Sequence, residues 1–161
     1  MKVIYFCRHP NPADDAAYGV QSVSMEELLK ESDYVVAAVP LTDQTFHLFN
    51  EERIAQMKAG SVLINIARGP VVDEEALAQA LASGHLGGCA VDVFPKEPCT
   101  NSVLTRYANA LLTPHSATST AENSKATNFA AANNLVNYLK KDIDAKYVVS
   151  PGHPLLIGYP K

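Results

Sequence analysis

Three polar residues follow or interrupt apolar runs at regular intervals along the chain. Arg68 follows the run LINIA, Asp92 lies inside AVDVF, and His115 follows LLTP. The intervals are 92 − 68 = 24 and 115 − 92 = 23 residues, near the roughly 30 residues of a strand–helix–strand unit. Because functional groups collect at the carboxyl ends of parallel strands, we expect successive strands to deliver these side chains to one edge of a sheet.

These side chains, together with Glu97 in the loop after the strand of Asp92, suit a 2-keto or 2-hydroxy acid. Arg68 offers a planar, permanently charged fork for a carboxylate. His115 can give a proton to a carbonyl oxygen or remove one from a hydroxyl. Glu97, if bonded to the imidazole, would favour its protonated form and fix its orientation. Asp92 could accept a hydrogen bond from the carboxamide of a nicotinamide.

Each of the four residues also has a plain structural explanation. Arg68 can be a solvated charge after a strand, and His115 can be a surface or turn residue. Asp92 can stabilise the turn that follows it, and Glu97 can be an ordinary loop acid. Position in the sequence alone leaves both kinds of explanation open.

Composition narrows the class of protein. The 161 residues suffice for one domain with a core, and 47% hydrophobic with 19% charged residues predicts a packed globule. The net charge of −4 argues against nucleic acid as a partner. No apolar run approaches the roughly 20 residues of a membrane span, and the first residues lack the apolar core of a signal peptide.

The cysteines and histidines predict no metal site, because they show no close ligand spacing. The three cysteines, Cys7, Cys89 and Cys99, are odd in number and widely separated. This usage indicates reduced thiols, and hence a cytoplasmic protein.

Apolar runs alternate with capped helical segments from end to end. Strands are predicted at 2–6, 33–40, 61–67, 87–94 and 109–115, and helices at 24–32, 50–58, 73–84 and 119–140. The longest helix should present an apolar face made of Phe129, Ala132, Leu135, Val136 and Leu139. A polar stretch with Pro10 and Pro12 follows the first strand. The alternation predicts an α/β fold with a doubly wound parallel sheet, over residues 1–141, followed by a linker or tail at 142–161.

A long stretch of the chain resembles a known family. The segment VPLTDQTFHLFNEERIAQMKAGSVLINIARGPVVDEEALAQALASGHLGGCAVDVFPKEP, followed by LLTPH, is similar to the D-isomer-specific 2-hydroxyacid dehydrogenases. The resemblance extends from about Lys2 to about Leu139. It implies an NAD(P)-dependent oxidoreductase with a Rossmann-like cofactor domain, acting on a small 2-keto acid and its D-2-hydroxy acid.

The resemblance also implies a role for each site residue. Arg68 would bind the substrate carboxylate, His115 would be the acid/base, and Glu97 would pair with His115. The cofactor side would be formed by Pro40, Ile66, Ala67, Asp92 and Ala117. The segment SATST after the histidine departs from the commoner glycine-containing form, which leaves close backbone contacts there open.

The segment FCRHPNP bears on the choice of cofactor. Many members of the family have an acid at this place, whereas this chain has Cys7 followed by Arg8. Loss of the acid beside an arginine favours the 2′-phosphate of NADP over NAD, although Arg8 can equally be an exposed loop charge. This feature and the segment AAANNLVNYL resemble the glyoxylate and hydroxypyruvate reductase branch.

The sequence contains no G-x-G-x-x-G turn of the kind that holds a pyrophosphate at a helix N-terminus. We therefore expect a partial dinucleotide-binding domain that lacks its first strand and glycine-rich turn. In a doubly wound sheet the first strand is central, so its loss should leave the strands at 2–6 and 33–40 apart from the strand at 61–67. Either these strands slide together, or a second molecule fills the gap, or an apolar edge is left exposed. An exposed edge invites association, which predicts a homo-oligomer or a poorly stable monomer. The alternative to an enzyme is a catalytically inactive remnant that acts as a self-associating structural module.

Overall fold

The structure, a computed structural model, describes residues 1–142 and residue 144, with only the backbone of Asp14. The chain divides into two compact units, Met1–Ala117 and Thr118–Lys161, which are described separately. The expected tail at 142–161 lies outside the described residues apart from Asp142 and Asp144. In the part of the chain so described, no helix combines the length and the apolar character needed to cross a membrane.

The elements alternate as the sequence predicts. The strands are β1 (Ile4–Tyr5), β2 (Gln21–Ser22), β3 (Tyr34–Ala37), β4 (Val62–Asn65), β5 (Gly88–Val91) and β6 (Ala110–Leu112). The helices are α1 (Pro12–Tyr18), α2 (Met25–Glu31), α3 (Glu51–Ala55), α4 (Glu74–Ala82) and α5 (Ala121–Leu139), with short 3-10 helices at Gly69–Val71 and Val103–Arg106.

Four of the strands form one parallel sheet in the order β3-β4-β5-β6. The strands are in register at their carboxyl ends, with Ala37 beside Asn65 and Asn65 beside Val91. The predicted α/β class with a parallel Rossmann-like sheet is therefore confirmed. The consequence for function is that the segments after β4, β5 and β6 all leave the sheet at the same edge.

Local capping decides where the predicted helices begin. Ser24, Asn50 and Asp73 each accept a hydrogen bond from a backbone N–H in the first helical turn, which satisfies donors that have no partner inside the helix. These are the caps that the sequence predicts for α2, α3 and α4. The helix α5 also forms, although its cap is Thr120 and it begins at Ala121.

A helix that was not predicted from the sequence forms in the polar stretch with Pro10 and Pro12. Helix α1 begins at Pro12, whose missing N–H costs nothing in the first turn. The side chain of Asn11 accepts from the N–H of Ala13 at 3.1 Å, and Gly19 ends the helix with a φ of 63°. The prolines suggested a loop, but the cap residue next to one of them starts a helix.

The core of the first unit lies around β3, β4 and α4. Its fully buried side chains are large and mostly aliphatic, and include Leu29, Leu63, Leu77, Leu86 and Leu104. Burial of this apolar surface is the main source of stability. It also holds the sheet rigid beneath the loops at its carboxyl edge.

The gap in the sheet does not lie where the sequence led us to expect it. The strand predicted at 33–40 is not separated from the strand at 61–67, because Tyr34 pairs with Val62 in the β3–β4 ladder. The connection through α3 brings these consecutive strands together in the usual parallel manner. Among the described strands, β3 and β6 form the two outer edges of the four-stranded sheet, and β1 and β2 each have one unpaired edge in their two-stranded sheet.

An open cavity of about 680 Å³ lies against β1 and β3 and is lined by residues on both, including Met1–Phe6 and Ser32–Val36. On β3 the side chains alternate, with Val35 2% exposed and Val36 52% exposed. Tyr34 is also largely exposed. The β3 edge therefore combines free backbone groups with apolar side chains, a combination that favours pairing with another chain.

In the second unit, α5 is the longest described helix at 19 residues. Its predicted apolar face contains Phe129, Leu135, Val136 and Leu139, all of which are exposed. None of the residues of α5 is buried.

The alternation along β3 gives a test of the fold with a matched pair of substitutions. We expect Val35→Ala to lower the free energy of unfolding by about 1.5–3 kcal/mol, the cost of losing a buried valine. The neighbouring Val36→Ala, at an exposed position, should change it by less than about 0.5 kcal/mol. Urea unfolding at low protein concentration measures both, and equal losses would contradict the described pattern of burial.

Candidate active site

The turn after β6 brings His115 against Glu97. The Nδ1 of His115 lies 2.7 Å from Oε2 of Glu97, and both side chains are partly exposed. The second oxygen of Glu97, Oε1, accepts from the backbone N–H of Phe94 at 2.9 Å. Since an ionised carboxylate can only accept, Nδ1 carries the proton of this bond. The other ring nitrogen, Nε2, is then left to act on a ligand.

The surroundings of Glu97 favour its charged form. The hydrogen bond from His115 is the main cause that lowers the pKa of Glu97 below its ordinary value, followed by the bond from Phe94. Burial acts in the opposite direction, and the charges of His115 and Arg68 add to the lowering. A carboxylate that stays ionised next to an imidazole stabilises the imidazolium when it forms.

Glu97 and His115 line a cavity of about 320 Å³. Its wall also includes Phe94, Leu112 and Thr113, so the polar pair lies at an apolar surface. A pocket with apolar walls and a few convergent polar groups is the common form of a small-molecule site.

Asp92 is buried, and its carboxylate accepts hydrogen bonds from the turn that contains His115. Its Oδ1 accepts from the Thr113 hydroxyl at 2.6 Å and from the N–H of Ser116 at 2.8 Å, and Oδ2 accepts from the N–H of Ala117 at 3.0 Å. Burial alone would raise the pKa of Asp92, but these bonds and the charge of His115 together lower it. Asp92 therefore stabilises a turn, namely the one after β6 and not the one after its own strand.

One acceptor position on the carboxylate of Asp92 stays open. A carboxylate offers about four lone-pair sites, and three are used by Thr113, Ser116 and Ala117. The remaining site is on Oδ2. The predicted contact of Asp92 with a nicotinamide carboxamide stays a prediction that this geometry permits.

Arg68 follows β4 and is exposed. Its Nη1 donates to the carbonyl oxygen of Ala67 at 2.6 Å. It lines a second cavity, of about 550 Å³, together with three of the residues predicted for the cofactor side, which are Pro40, Ile66 and Ala67. The structure thus places Arg68 with these cofactor-side residues and places His115 with Glu97 in the neighbouring cavity.

Gly69 explains how the loop of Arg68 approaches the loop of Glu97. A Cβ added at Gly69 would lie 2.0 Å from the carbonyl carbon of Phe94 and 2.2 Å from the nitrogen of Pro95. No side chain fits at that distance, so only glycine permits this contact between backbones. The close approach brings the charge of Arg68 near enough to act on Glu97.

The two remaining predicted cofactor residues, Arg8 and Ala117, lie on different segments. Arg8 is exposed after β1 and donates from Nη1 to Oε1 of Gln44 at 3.0 Å, a bond between the segments after β1 and β3. Ala117 is exposed, and its N–H is the one bonded to Asp92. Among residues 1–142 and 144, no group of three or more histidine, cysteine or acidic side chains could hold a metal ion.

Two residues of this edge were not singled out from the sequence. Asn65 ends β4 and is 1% exposed, with hydrogen bonds to the segment of Arg68. Thr113 follows β6 and donates to Asp92. An asparagine inside the apolar run LINIA was a usable signal, because a buried amide must find partners. No local signal connected Thr113 with Asp92.

Comparison with known proteins gives a consistent result. Residues 1–117 match the profile of the family described as D-isomer specific 2-hydroxyacid dehydrogenase, NAD binding domain. The chain is 41% identical over 143 residues to a glyoxylate reductase of Pyrococcus furiosus, covering 89% of this chain and 43% of that protein. It is 38% identical over 140 residues to a glyoxylate/hydroxypyruvate reductase B of Yersinia pestis, covering 86% of this chain and 43% of that protein.

A solved structure supports the same relation. The D-lactate dehydrogenase of Aquifex aeolicus, described in complex with NAD and lactic acid, superposes with a TM-score of 0.79 at 34% identity. The match covers 88% of this chain and 47% of that one. The chain thus spans less than half the length of each of these relatives.

The lowered pKa of Glu97 gives a pH-dependent test. A carboxyl whose pKa falls on folding stabilises the folded state above its unfolded pKa, and this contribution is lost as the pH falls through the folded pKa. We expect the carboxyl carbon of Glu97, followed by NMR, to titrate below the range of an exposed glutamate. In His115→Ala the midpoint should rise, while the bond from Phe94 keeps part of the lowering. An unchanged midpoint in the variant would contradict the pairing.

Proposed function

Because this chain belongs to the D-isomer-specific 2-hydroxyacid dehydrogenase family, we propose that it takes part in the reduction of a small 2-keto acid by NADPH or NADH. Glyoxylate and hydroxypyruvate are the substrates that the named relatives suggest. The observation that carries the proposal is the Glu97–His115 pair, with Arg68 close enough for its charge to act on Glu97. Since the chain spans 43% of the Pyrococcus relative, this activity is a proposal for the 161 residues.

Each residue has a distinct part in this reaction. Arg68 binds the carboxylate of the keto acid through its planar fork. His115 gives a proton from Nε2 to the keto oxygen, or removes one from the hydroxyl in the reverse direction. Glu97 holds Nδ1 and stabilises the charged imidazole. A nicotinamide cofactor, when bound, would supply the hydride.

The residues present suit the nicotinamide part of the cofactor. Pro40, Ile66 and Ala67 offer an apolar wall in the cavity that Arg68 also lines, and Asp92 keeps one acceptor position for a carboxamide. For the adenosine part we propose NADPH over NADH, because Arg8 lies exposed after β1 and its known partner, Gln44, is neutral. The guanidinium keeps donors and its full charge for a phosphate.

The test follows oxidation of the reduced cofactor by absorbance with glyoxylate or hydroxypyruvate. We expect His115→Ala to lower the rate by about 10²–10⁴-fold, the usual contribution of a general acid, and Arg68→Ala to weaken binding of the keto acid. Arg106→Ala, which removes an exposed arginine elsewhere, is the matched control and should leave the rate unchanged. Absence of both turnover and NADPH binding by calorimetry would overturn the proposal.

A specific observation favours a second candidate function, that of a self-associating module without turnover. The edges of β1 and β3 are unpaired among the described strands and border the open cavity of about 680 Å³. The exposed Tyr34 and Val36 make this edge apolar. Free backbone groups and apolar side chains on one edge are the usual basis of edge-to-edge association.

Association through this edge predicts a homo-oligomer that a single charge disrupts. We expect gel filtration with light scattering to give a mass above that of the monomer for the unaltered chain, and a monomer for Val36→Lys, since a lysine on an edge strand blocks pairing. Tyr18→Lys, at an exposed apolar residue of α1, serves as the control and should leave the mass unchanged. A stable monomer for the unaltered chain would exclude this candidate.

A further inference from the structure

Asn65 has a buried side chain, and both its amide oxygen and its amide nitrogen form hydrogen bonds with the loop that follows it. Its Oδ1 accepts from the N–H of Ala67 at 3.0 Å, and its Nδ2 donates to the carbonyl oxygen of Arg68 at 3.1 Å. These bonds fall on either side of the peptide that joins Ala67 to Arg68. The amide therefore fixes the direction in which the chain leaves β4 and presents Arg68.

Asp92 occupies the corresponding place one strand further along. It follows β5, its backbone N–H donates to the carbonyl oxygen of Asn65 at 3.1 Å, and its side chain is 6% exposed. Its carboxylate binds the segment that contains His115 from both sides, through Thr113 before it and Ser116 after it. His115 itself has a φ of 53°, which a non-glycine residue adopts only when its surroundings hold it there.

We propose that Asn65 and Asp92 are positioning residues, each of which fixes the loop of one functional side chain at the carboxyl edge of the sheet. Asn65 sets the loop of Arg68, and Asp92 sets the turn of His115. The importance of these loops for a keto acid rests on the proposed function. The hydrogen bonds by which Asn65 and Asp92 hold these loops are independent of the proposed function.

The chemistry of each residue matches its loop, and the two are not exchangeable. Asn65 must donate on one side and accept on the other, which an amide can do and a carboxylate cannot. Asp92 meets three donors, which a carboxylate satisfies and an amide would oppose with its NH₂ group. Because both side chains are buried, a mismatched polar atom cannot form a hydrogen bond to water instead. The folded state then loses the full desolvation free energy of that group.

The two isosteric exchanges, Asn65→Asp and Asp92→Asn, therefore test the proposal in opposite loops. In Asn65→Asp we expect the segment at Arg68 to loosen while the bond from Ala67 is kept. In Asp92→Asn the amide oxygen can still accept from Thr113 and Ser116 in the place of Oδ1, so we expect the N–H of Ala117, which then faces the NH₂ group, to lose protection. Amide hydrogen exchange should rise by roughly 2- to 10-fold at each affected site, the equivalent of one hydrogen bond. The ¹⁵N relaxation of the Arg68 side chain reports its order directly.

Three further variants control for misfolding of the exchanged proteins. Asn65→Leu has similar size and buries no charge, and it should loosen both Ala67 and Arg68. Thr113→Val removes one of the bonds to Asp92, whereas Thr113→Ser keeps the hydroxyl and should restore the unaltered exchange of the His115 turn. A role limited to general stability would not separate valine from serine at Thr113 in this local readout.

The expected result is a separation, in which changes at Asn65 affect only the Arg68 loop and changes at Asp92 or Thr113 affect only the His115 turn. Equal loosening of both loops by any of these variants, or an Arg68 side chain as ordered in Asn65→Leu as before, would overturn the proposal. A titration with oxamate, a keto-acid analogue, is run in parallel on the unaltered chain. If oxamate does not bind, the proposed function fails, and the exchange pattern still decides the positioning roles.

Discussion

The candidate site depends on the in-register parallel pairing of β3, β4, β5 and β6. Asn65 pairs beside Val91, so β4 and β5 end at the same level, and Asp92 then donates from its N–H to the carbonyl oxygen of Asn65. Because parallel strands point the same way, every connecting segment leaves at one edge. A shift of register by one residue would reverse the faces of the side chains and would remove Asn65 and Asp92 from the interior.

Contact between the loops that follow β4, β5 and β6 brings the side chains of the candidate site together. Gly69 lets its segment touch the backbone at Phe94 and Pro95, and the same loop then carries Glu97 to His115. Glu97 is held at both oxygens, by His115 and by Phe94. The acid is thereby kept charged and the imidazole kept oriented before any ligand binds. Preorganisation of this kind avoids the cost of ordering the groups during reaction.

The outer edge of β3 is one part of this sheet that can accept a further strand. β3 is satisfied on the side of β4 and is unpaired on the other side among the described strands, beside the cavity that β1 also lines. The Glu97–His115 pair lies toward the opposite end of the strand order, in the segments after β5 and β6. The well-packed core and the site at its carboxyl edge therefore do not rely on the open edge. The two proposed functions, reduction of a keto acid and self-association, therefore depend on different parts of the sheet.

The sequence by itself determined the alternation of strands and helices, the caps at Ser24, Asn50 and Asp73, and the placement of Arg68, Asp92 and His115 after successive strands. These features depend on local periodicity and on the chemistry of single residues, which a sequence displays directly. It did not reveal helix α1, because the prolines around Asn11 obscured a start signal. It also misplaced the gap, because strand order is a property of the assembled sheet.

Only the tertiary structure decided what Asn65 and Asp92 bind. The partners of Asp92 lie 21, 24 and 25 residues further along the chain, and no pattern in one sequence connects positions so far apart. The same holds for Gly69, which is required by the backbone of a loop on the next strand. Residue type thus determined which chemistry is available at the sheet edge. Packing determined which atoms meet, because hydrogen bonds and close contacts form only where the fold brings distant segments within about 3 Å.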